Sequence, residues 1–107
     1  MRRVITFSIA FCAAAAVSLA AGDATAGKAV FATSCQSCHG PDGSGNPNIA
    51  KMMKVEMRPL GSPEVQAQSD DDFKAIITNG KGKMPKKASV TGKDQENVIA
   101  YLRTLKK

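Results

Sequence analysis

The chain has 107 residues, with 15 lysines and arginines against 9 acidic residues, and a formal net charge of +6. This length allows one small domain whose hydrophobic core alone gives only marginal stability, unless a bound group or a cross-link adds to it. Such a modest charge, on a chain that also carries an export signal, argues against a nucleic-acid-binding protein.

Residues 1–21 are predicted to be a signal peptide. After Met1 they have two arginines, then an apolar stretch over residues 4–17, and they end in small residues of the kind that signal peptidases recognise. Cleavage after the second small-residue site, Ala24-Thr25-Ala26, would remove Asp23, which is a good N-cap for the next helix. Residues 22–107 are therefore expected to form a mature periplasmic domain with no stable membrane insertion. The alternative is an uncleaved anchor, although a spanning helix needs about twenty apolar residues.

The first predicted helix of the mature domain runs from about Asp23 into a cysteine motif. Asp23 is a favourable N-cap residue. Small and apolar residues then recur at helical spacing on one face. They are Gly27, Val30, Phe31, Ser34 and Cys38.

The run Cys35-Gln36-Ser37-Cys38-His39 is typical of covalent c-type haem attachment. Two thiols one helical turn apart can each form a thioether with a haem vinyl group, and the adjacent imidazole can then bind the iron. His39 is the only histidine in the chain, so no other residue can supply an imidazole ligand. The motif thus predicts haem c, with its iron, as the cofactor.

Other uses of the two cysteines fit the sequence less well. A redox dithiol of the thioredoxin type belongs in a βαβ pattern, which this sequence does not show. A structural zinc site normally has about four Cys or His ligands. Cys12 is expected to leave with the signal peptide, so only Cys35, Cys38 and His39 are left for such a site. A simple disulfide between Cys35 and Cys38 is chemically feasible.

The segment after the motif is predicted to be irregular. Residues 40–48 contain three glycines and two prolines, which is typical of a loop. Residues 49–68 show no pattern that predicts an element, except that Ser62-Pro63-Glu64 is typical of the start of a short helical turn.

Two further helices are predicted towards the C-terminus. The second runs from about Asp70 to Asn79, with Ser69 and Asp72 as a variant capping box and Gly80 as its terminator. The third begins after Thr91, which is again followed three residues later by an acid, Asp94. Its apolar side carries Val98, Tyr101, Leu102 and Leu105.

Met84 is the predicted second iron ligand. Glycines before it allow the backbone to pass close to a haem, and Pro85 prevents a helix from forming there, so the thioether is presented from a loop. Three other methionines are expected to fill the core instead: Met52, Met53 and Met57. Four lysines surround Met84, namely Lys81, Lys83, Lys86 and Lys87.

This order of elements resembles the small, soluble, single-haem class I cytochromes c. The likeness covers residues 22–107: an N-terminal helix leading into C-x-x-C-H, a glycine-rich loop, a middle helix, a methionine loop and a C-terminal helix. It implies an all-α fold in which three main helices and short turns surround one covalently bound haem. The residues it implies at the haem are Cys35, Cys38, His39 and Met84, the last two as iron ligands.

The resemblance also implies two structural contacts. The first and last helices of the family cross through a glycine and aromatic residues. Here these are Gly27 and Phe31 against Val98 and Tyr101. A proline carbonyl, expected to be that of Pro47, would accept a hydrogen bond from the Nδ1 atom of the proximal histidine.

The predicted function is that of a monomeric one-electron carrier in the periplasm, and not of an enzyme. Its partners are expected to be a reductase and an oxidase with an acidic docking patch for the lysines around Met84. Two alternatives stay open: a haem-based sensor or peroxidase with an open distal site, and an electron-transfer subunit anchored in the membrane by an uncleaved signal.

Overall fold

Six helices and the loops between them make up residues 22–107, the part of the chain that the computed structural model describes. The predicted signal peptide, with Cys12, lies outside the described residues. The helices are α1 (Ala24–Ser34), α2 (Gln36–His39), α3 (Pro47–Met53), α4 (Pro63–Gln66), α5 (Asp70–Asn79) and α6 (Lys93–Thr104). Within this part of the chain there is no β-strand, so the predicted all-α class is confirmed.

The starts of α1 and α5 follow the predicted capping chemistry. A carboxylate oxygen of Asp23 accepts hydrogen bonds from the backbone N–H groups of Thr25 and Ala26, at 2.9 and 3.3 Å. At α5, the Ser69 hydroxyl oxygen accepts a hydrogen bond from the backbone N–H of Asp72, and the Asp72 carboxylate accepts one from the backbone N–H of Ser69, both at 3.1 Å. These side chains satisfy N–H groups that lack a partner inside the helix.

The predicted capping of α6 by Thr91 and Asp94 was wrong. The helix begins at Lys93, its N-cap is Gly92 with φ 52°, and no side chain caps it. Thr91 contributes only its backbone carbonyl, which accepts from the N–H of Asp94 at 3.0 Å. A positive φ is readily adopted by glycine, so the turn into the helix falls one residue later than the Thr91–Asp94 pattern predicted.

Helix α3 was not predicted. It begins inside the segment read as a loop, with Asn46 as N-cap and Pro47 as its first residue. The side-chain oxygen of Asn46 accepts from the backbone N–H groups of Asn48 and Ile49, at 3.0 and 3.5 Å. The Asn-Pro pair was the available signal, because it combines a favoured N-cap with a proline at the first helical position.

The core is built around the crossing of α1 and α6. A Cβ atom added to Gly27 would lie 1.8 Å from the carbonyl oxygen of Asn97 and 2.9 Å from the nitrogen of Val98. One turn further on, the rings of Phe31 and Tyr101 pack with their centroids 5.2 Å apart. The predicted glycine and aromatic crossing is therefore confirmed, with Asn97 as the nearest backbone. The buried apolar core consists of Phe31, Phe73, Ile77, Val90, Val98 and Ile99.

Replacing Gly27 with alanine is expected to destabilise the protein by about 3 kcal/mol, because the new methyl group overlaps backbone atoms that cannot move away singly. Unfolding of the ferric holoprotein by guanidinium chloride, followed by circular dichroism, measures this loss. The control is Ala29→Ser on the exposed face of α1, which we expect to change the unfolding free energy by no more than about 0.5 kcal/mol. Equal midpoints for Gly27→Ala and the wild type would show that the crossing is not tight.

Arg103 ties α6 to the segment that joins α4 and α5. Its guanidinium donates to the carbonyl oxygens of Gln66 and Gln68, at 2.8 and 2.7 Å, and to the Asp70 carboxylate at 2.8 Å. It also lies 4.6 Å from the centre of the Phe73 ring. These contacts fix the start of α5. They thereby fix the position at which the methionine loop, residues 80–87, leaves the other end of this helix.

Candidate haem-binding site

The cysteine motif lies where α1 passes into α2. Cys35 is at once the C-cap of α1 and the N-cap of α2, and its backbone N–H donates to the carbonyl of Phe31 at 2.9 Å. The next turn is closed by the N–H of His39, which donates to the Cys35 carbonyl at 3.0 Å. Residues three and four apart on a helical turn share a face, so Cys35, Cys38 and His39 are presented together.

Both thiols are available for thioether bonds. Cys35 and Cys38 are half-buried and free, so the structure does not contain the disulfide that the sequence allowed. Among residues 22–107, no group of three or more Cys, His, Asp or Glu side chains could hold a metal ion, which disfavours the zinc alternative. Burial raises the pKa of the Cys35 thiol, and the positive charge of Lys87 partly opposes this shift.

The imidazole of His39 is suited to bind a metal. Burial lowers its pKa, and the nearby positive charge of Lys87 lowers the pKa further. Both effects favour the neutral ring, which is the form with a free lone pair for iron. The Nδ1 atom is buried inside the protein, so Nε2 is the nitrogen left to face a haem. Two free thiols and an imidazole on one helical turn are the donor set that covalent haem attachment requires, and the site fits that group.

The predicted hydrogen bond between Pro47 and His39 was wrong. The buried Nδ1 atom of His39 has no hydrogen-bond partner. Pro47 is the first residue of α3, so its carbonyl oxygen belongs to the hydrogen-bond ladder of that helix rather than to the histidine.

Asn46 is a positioning residue that the sequence analysis missed. Its backbone N–H donates to the Cys38 carbonyl at 2.9 Å, and its side-chain amide donates to the Ser37 carbonyl at 3.2 Å. The neighbouring Gly45 N–H donates to the His39 carbonyl at 2.7 Å. Because Asn46 also caps α3, it joins the haem motif to that helix.

Met84 closes a tight turn after α5. Its N–H donates to the Lys81 carbonyl at 2.9 Å, and its carbonyl accepts from the Lys81 N–H at 3.0 Å. The turn depends on glycine twice: Gly82 has φ 56°, and at Gly80, with φ 78°, a Cβ would lie 2.7 Å from the Met84 carbonyl oxygen. Met84 itself is half-buried, as expected of a side chain that is presented from a loop towards the interior.

The other methionines differ from the prediction in part. Met52 is 72% exposed, so its prediction as a core residue was wrong: in a helix of seven residues it lies on the solvent side. Met53 and Met57 are half-buried.

Comparison with known proteins places this arrangement among the c-type cytochromes. Residues 22–102 match the family described as cytochrome c oxidase, cbb3-type, subunit III. The chain is 32% identical over 91 residues to cytochrome c-554(547) of Halothiobacillus neapolitanus, a match that covers 80% of this chain and 100% of the relative.

Other relatives agree with this assignment. The chain is 36% identical over 86 residues to cytochrome c6 of Rippkaea orientalis (strain PCC 8801 / RF-1), covering 77% of this chain and 70% of the relative. Among solved structures, the c-type cytochrome KustC0563 superposes with a TM-score of 0.64 at 23% identity, covering 76% of this chain and 98% of that one. At that identity the superposition supports the fold only.

Proposed function

The chain belongs to the cytochrome c family and has a covalently bound haem c as its cofactor, and from this premise we propose that it is a periplasmic one-electron carrier with His39 and Met84 as axial ligands. The observation that carries the proposal is the shared face of Cys35, Cys38 and His39, where both thiols are free. When bound, the haem supplies a reversible ferric–ferrous couple.

Each residue of the site has a separate task in this proposal. Cys35 and Cys38 tether the porphyrin through thioethers, and Nε2 of His39 binds the iron. Met84 would supply the second iron ligand, because its side chain is half-buried and is presented from a turn, and its thioether is a donor for haem iron. A thioether opposite an imidazole raises the reduction potential and leaves no open position for a substrate. The protein is therefore proposed not to be an enzyme.

External ligands distinguish this carrier from a haem sensor or peroxidase. With both axial positions filled by the chain, we expect millimolar azide on the ferric protein and carbon monoxide on the ferrous protein to leave the absorption spectrum unchanged. A spectrum that shifts with either ligand at micromolar concentration would favour the alternative with an open distal site.

A membrane-anchored electron-transfer subunit is the second candidate, and it is favoured by the description of the matching family as an oxidase subunit. Between residues 22 and 107, no helix is long and apolar enough to span a bilayer. The match over the full length of cytochrome c-554(547) supports the carrier instead. N-terminal sequencing decides: a start at residue 21 or 22 supports a cleaved signal, and a start at Met1 supports an anchor.

The lysines around Met84 are proposed to guide the carrier to acidic partners. Lys81 and Lys86 are exposed, and exposed charges at a docking surface raise association rates in a salt-dependent manner. Electron transfer to an acidic redox partner is expected to slow as ionic strength rises. The double variant Lys81→Gln/Lys86→Gln should lower the low-salt rate several-fold and flatten the salt dependence.

The matched control for this experiment is Lys28→Gln, which removes an exposed charge from α1. It should retain the wild-type rate at every salt concentration. A double variant that reacts as fast as the wild type at low salt would mean that these two lysines do not steer docking.

A further inference from the structure

One exposed lysine of the loop that carries Met84 makes a hydrogen bond to a distant helix. The Nζ atom of Lys83 donates a hydrogen bond to the backbone carbonyl oxygen of Met53, the last residue of α3 and 30 positions earlier in the chain. Lys83 directly precedes Met84. The contact therefore joins the residue next to the proposed iron ligand to a helix that Asn46 links to the haem motif.

The remaining hydrogen bonds of the loop hold its two ends, but not its tip. Gly80 donates to the Ile76 carbonyl and Lys87 donates to the Ile77 carbonyl, both at 2.8 Å, so both ends are fixed to α5. The Lys81–Met84 pair closes the turn on itself. At the tip, a Cβ on Gly82 would meet nothing within 4 Å. Among the described residues, Lys83 alone hydrogen-bonds this tip to α3.

The end of α3 favours a positively charged donor. The last carbonyl groups of a helix have no partner within the helix. The chain leaves α3 through Lys54 in the left-handed conformation, and the Lys54 N–H bonds to the carbonyls of Ala50 and Lys51. The Met53 carbonyl is thus left to accept from the Lys83 ammonium, and hydrogen bonds with a charged donor are stronger than neutral ones.

We propose that Lys83 is a positioning residue for Met84: by holding the tip of the loop against α3, it keeps the thioether in place for the iron. This inference rests on the proposed His39 and Met84 ligation and deepens it. It also gives the lysines of this loop different roles. Lys83 bonds to the Met53 carbonyl of the same chain, whereas Lys81 and Lys86 are proposed to contact partner proteins.

The test measures how easily an external ligand displaces Met84 from ferric iron in the holoprotein. Imidazole is titrated while the far-red methionine-to-iron charge-transfer band is followed. In Lys83→Gln we expect imidazole to bind about threefold more tightly than in the wild type, the size of effect that loss of one solvent-exposed contact of a charged group gives. Lys83→Arg keeps a charged donor and should restore most of the wild-type affinity.

The matched control is Lys51→Gln, which removes an equal charge from the exposed side of the same helix and should not change imidazole affinity. Equal imidazole affinity for the wild type, Lys83→Gln and Lys51→Gln would overturn the role of Lys83 alone. Absence of the charge-transfer band from the wild type would overturn the Met84 ligation itself, and this inference with it. Equal tightening in both variants would assign the effect to net charge and also overturn the proposal.

Discussion

Replacing Met84 with alanine is expected to convert the protein into one that binds azide and carbon monoxide. The variant loses the thioether that we propose to fill the sixth position of the iron, so external ligands gain access to it. Its ferric form should lose the far-red methionine band. Its reduction potential should fall by tenths of a volt, a sizeable part of the ~0.8 V range that axial ligands set. Potentiometric titration and ligand binding followed by absorbance measure both effects.

Met52→Ala is the control for this experiment. Its side chain is 72% exposed and lies on the solvent side of α3, so the spectrum and the potential should stay as in the wild type. A Met84→Ala protein that keeps the charge-transfer band and still excludes azide would show that another residue binds the iron. Met53 and Met57, both half-buried, would then be the residues to replace next.

Replacing both Cys35 and Cys38 with serine is expected to abolish covalent haem attachment and, with it, a stable fold. Thioethers need both sulfur atoms, and serine cannot form them. Within residues 22–107 the buried apolar core has six residues, too few to stabilise a domain of this size without the large apolar surface of the porphyrin. Haem staining after denaturing electrophoresis should be lost, and the variant should accumulate to a small fraction of the wild-type level.

Ser37→Ala serves as the control within the same motif. Ser37 is exposed and contributes its backbone carbonyl to the contact with Asn46, which alanine retains. This variant should stain for haem as the wild type does. Haem staining that persisted in the double cysteine variant would show that the porphyrin is held by a different bond.

Local chemistry explains which parts of the structure were predictable. The Asp23 cap, the Ser69–Asp72 capping box and the C-x-x-C-H turn each depend on residues a few positions apart, so the sequence contains the whole interaction. The crossing of α1 and α6 is not local, and it was predicted only because Gly27 and Phe31 matched a family pattern.

The structure differs from the sequence-based predictions where the local structure depends on the backbone conformation of one residue or on a contact between residues far apart in the chain. The positive φ of Gly92 moved the start of α6 beyond Thr91. The Asn46 cap starts a helix at Pro47, inside the predicted loop of residues 40–48, and this helix continues into a segment for which no element was predicted. The hydrogen bond from Lys83 to Met53 spans 30 residues and ends on a backbone carbonyl, so no pattern of side chains could have indicated it.

The mass of the intact wild-type protein under denaturing conditions shows whether Cys35 and Cys38 hold one haem covalently. Denaturation removes any haem that is held only by coordination or packing, and thioethers survive it. We expect one species whose mass equals that of a polypeptide starting at residue 21 or 22 plus one haem. A mass equal to that of the bare polypeptide would contradict it.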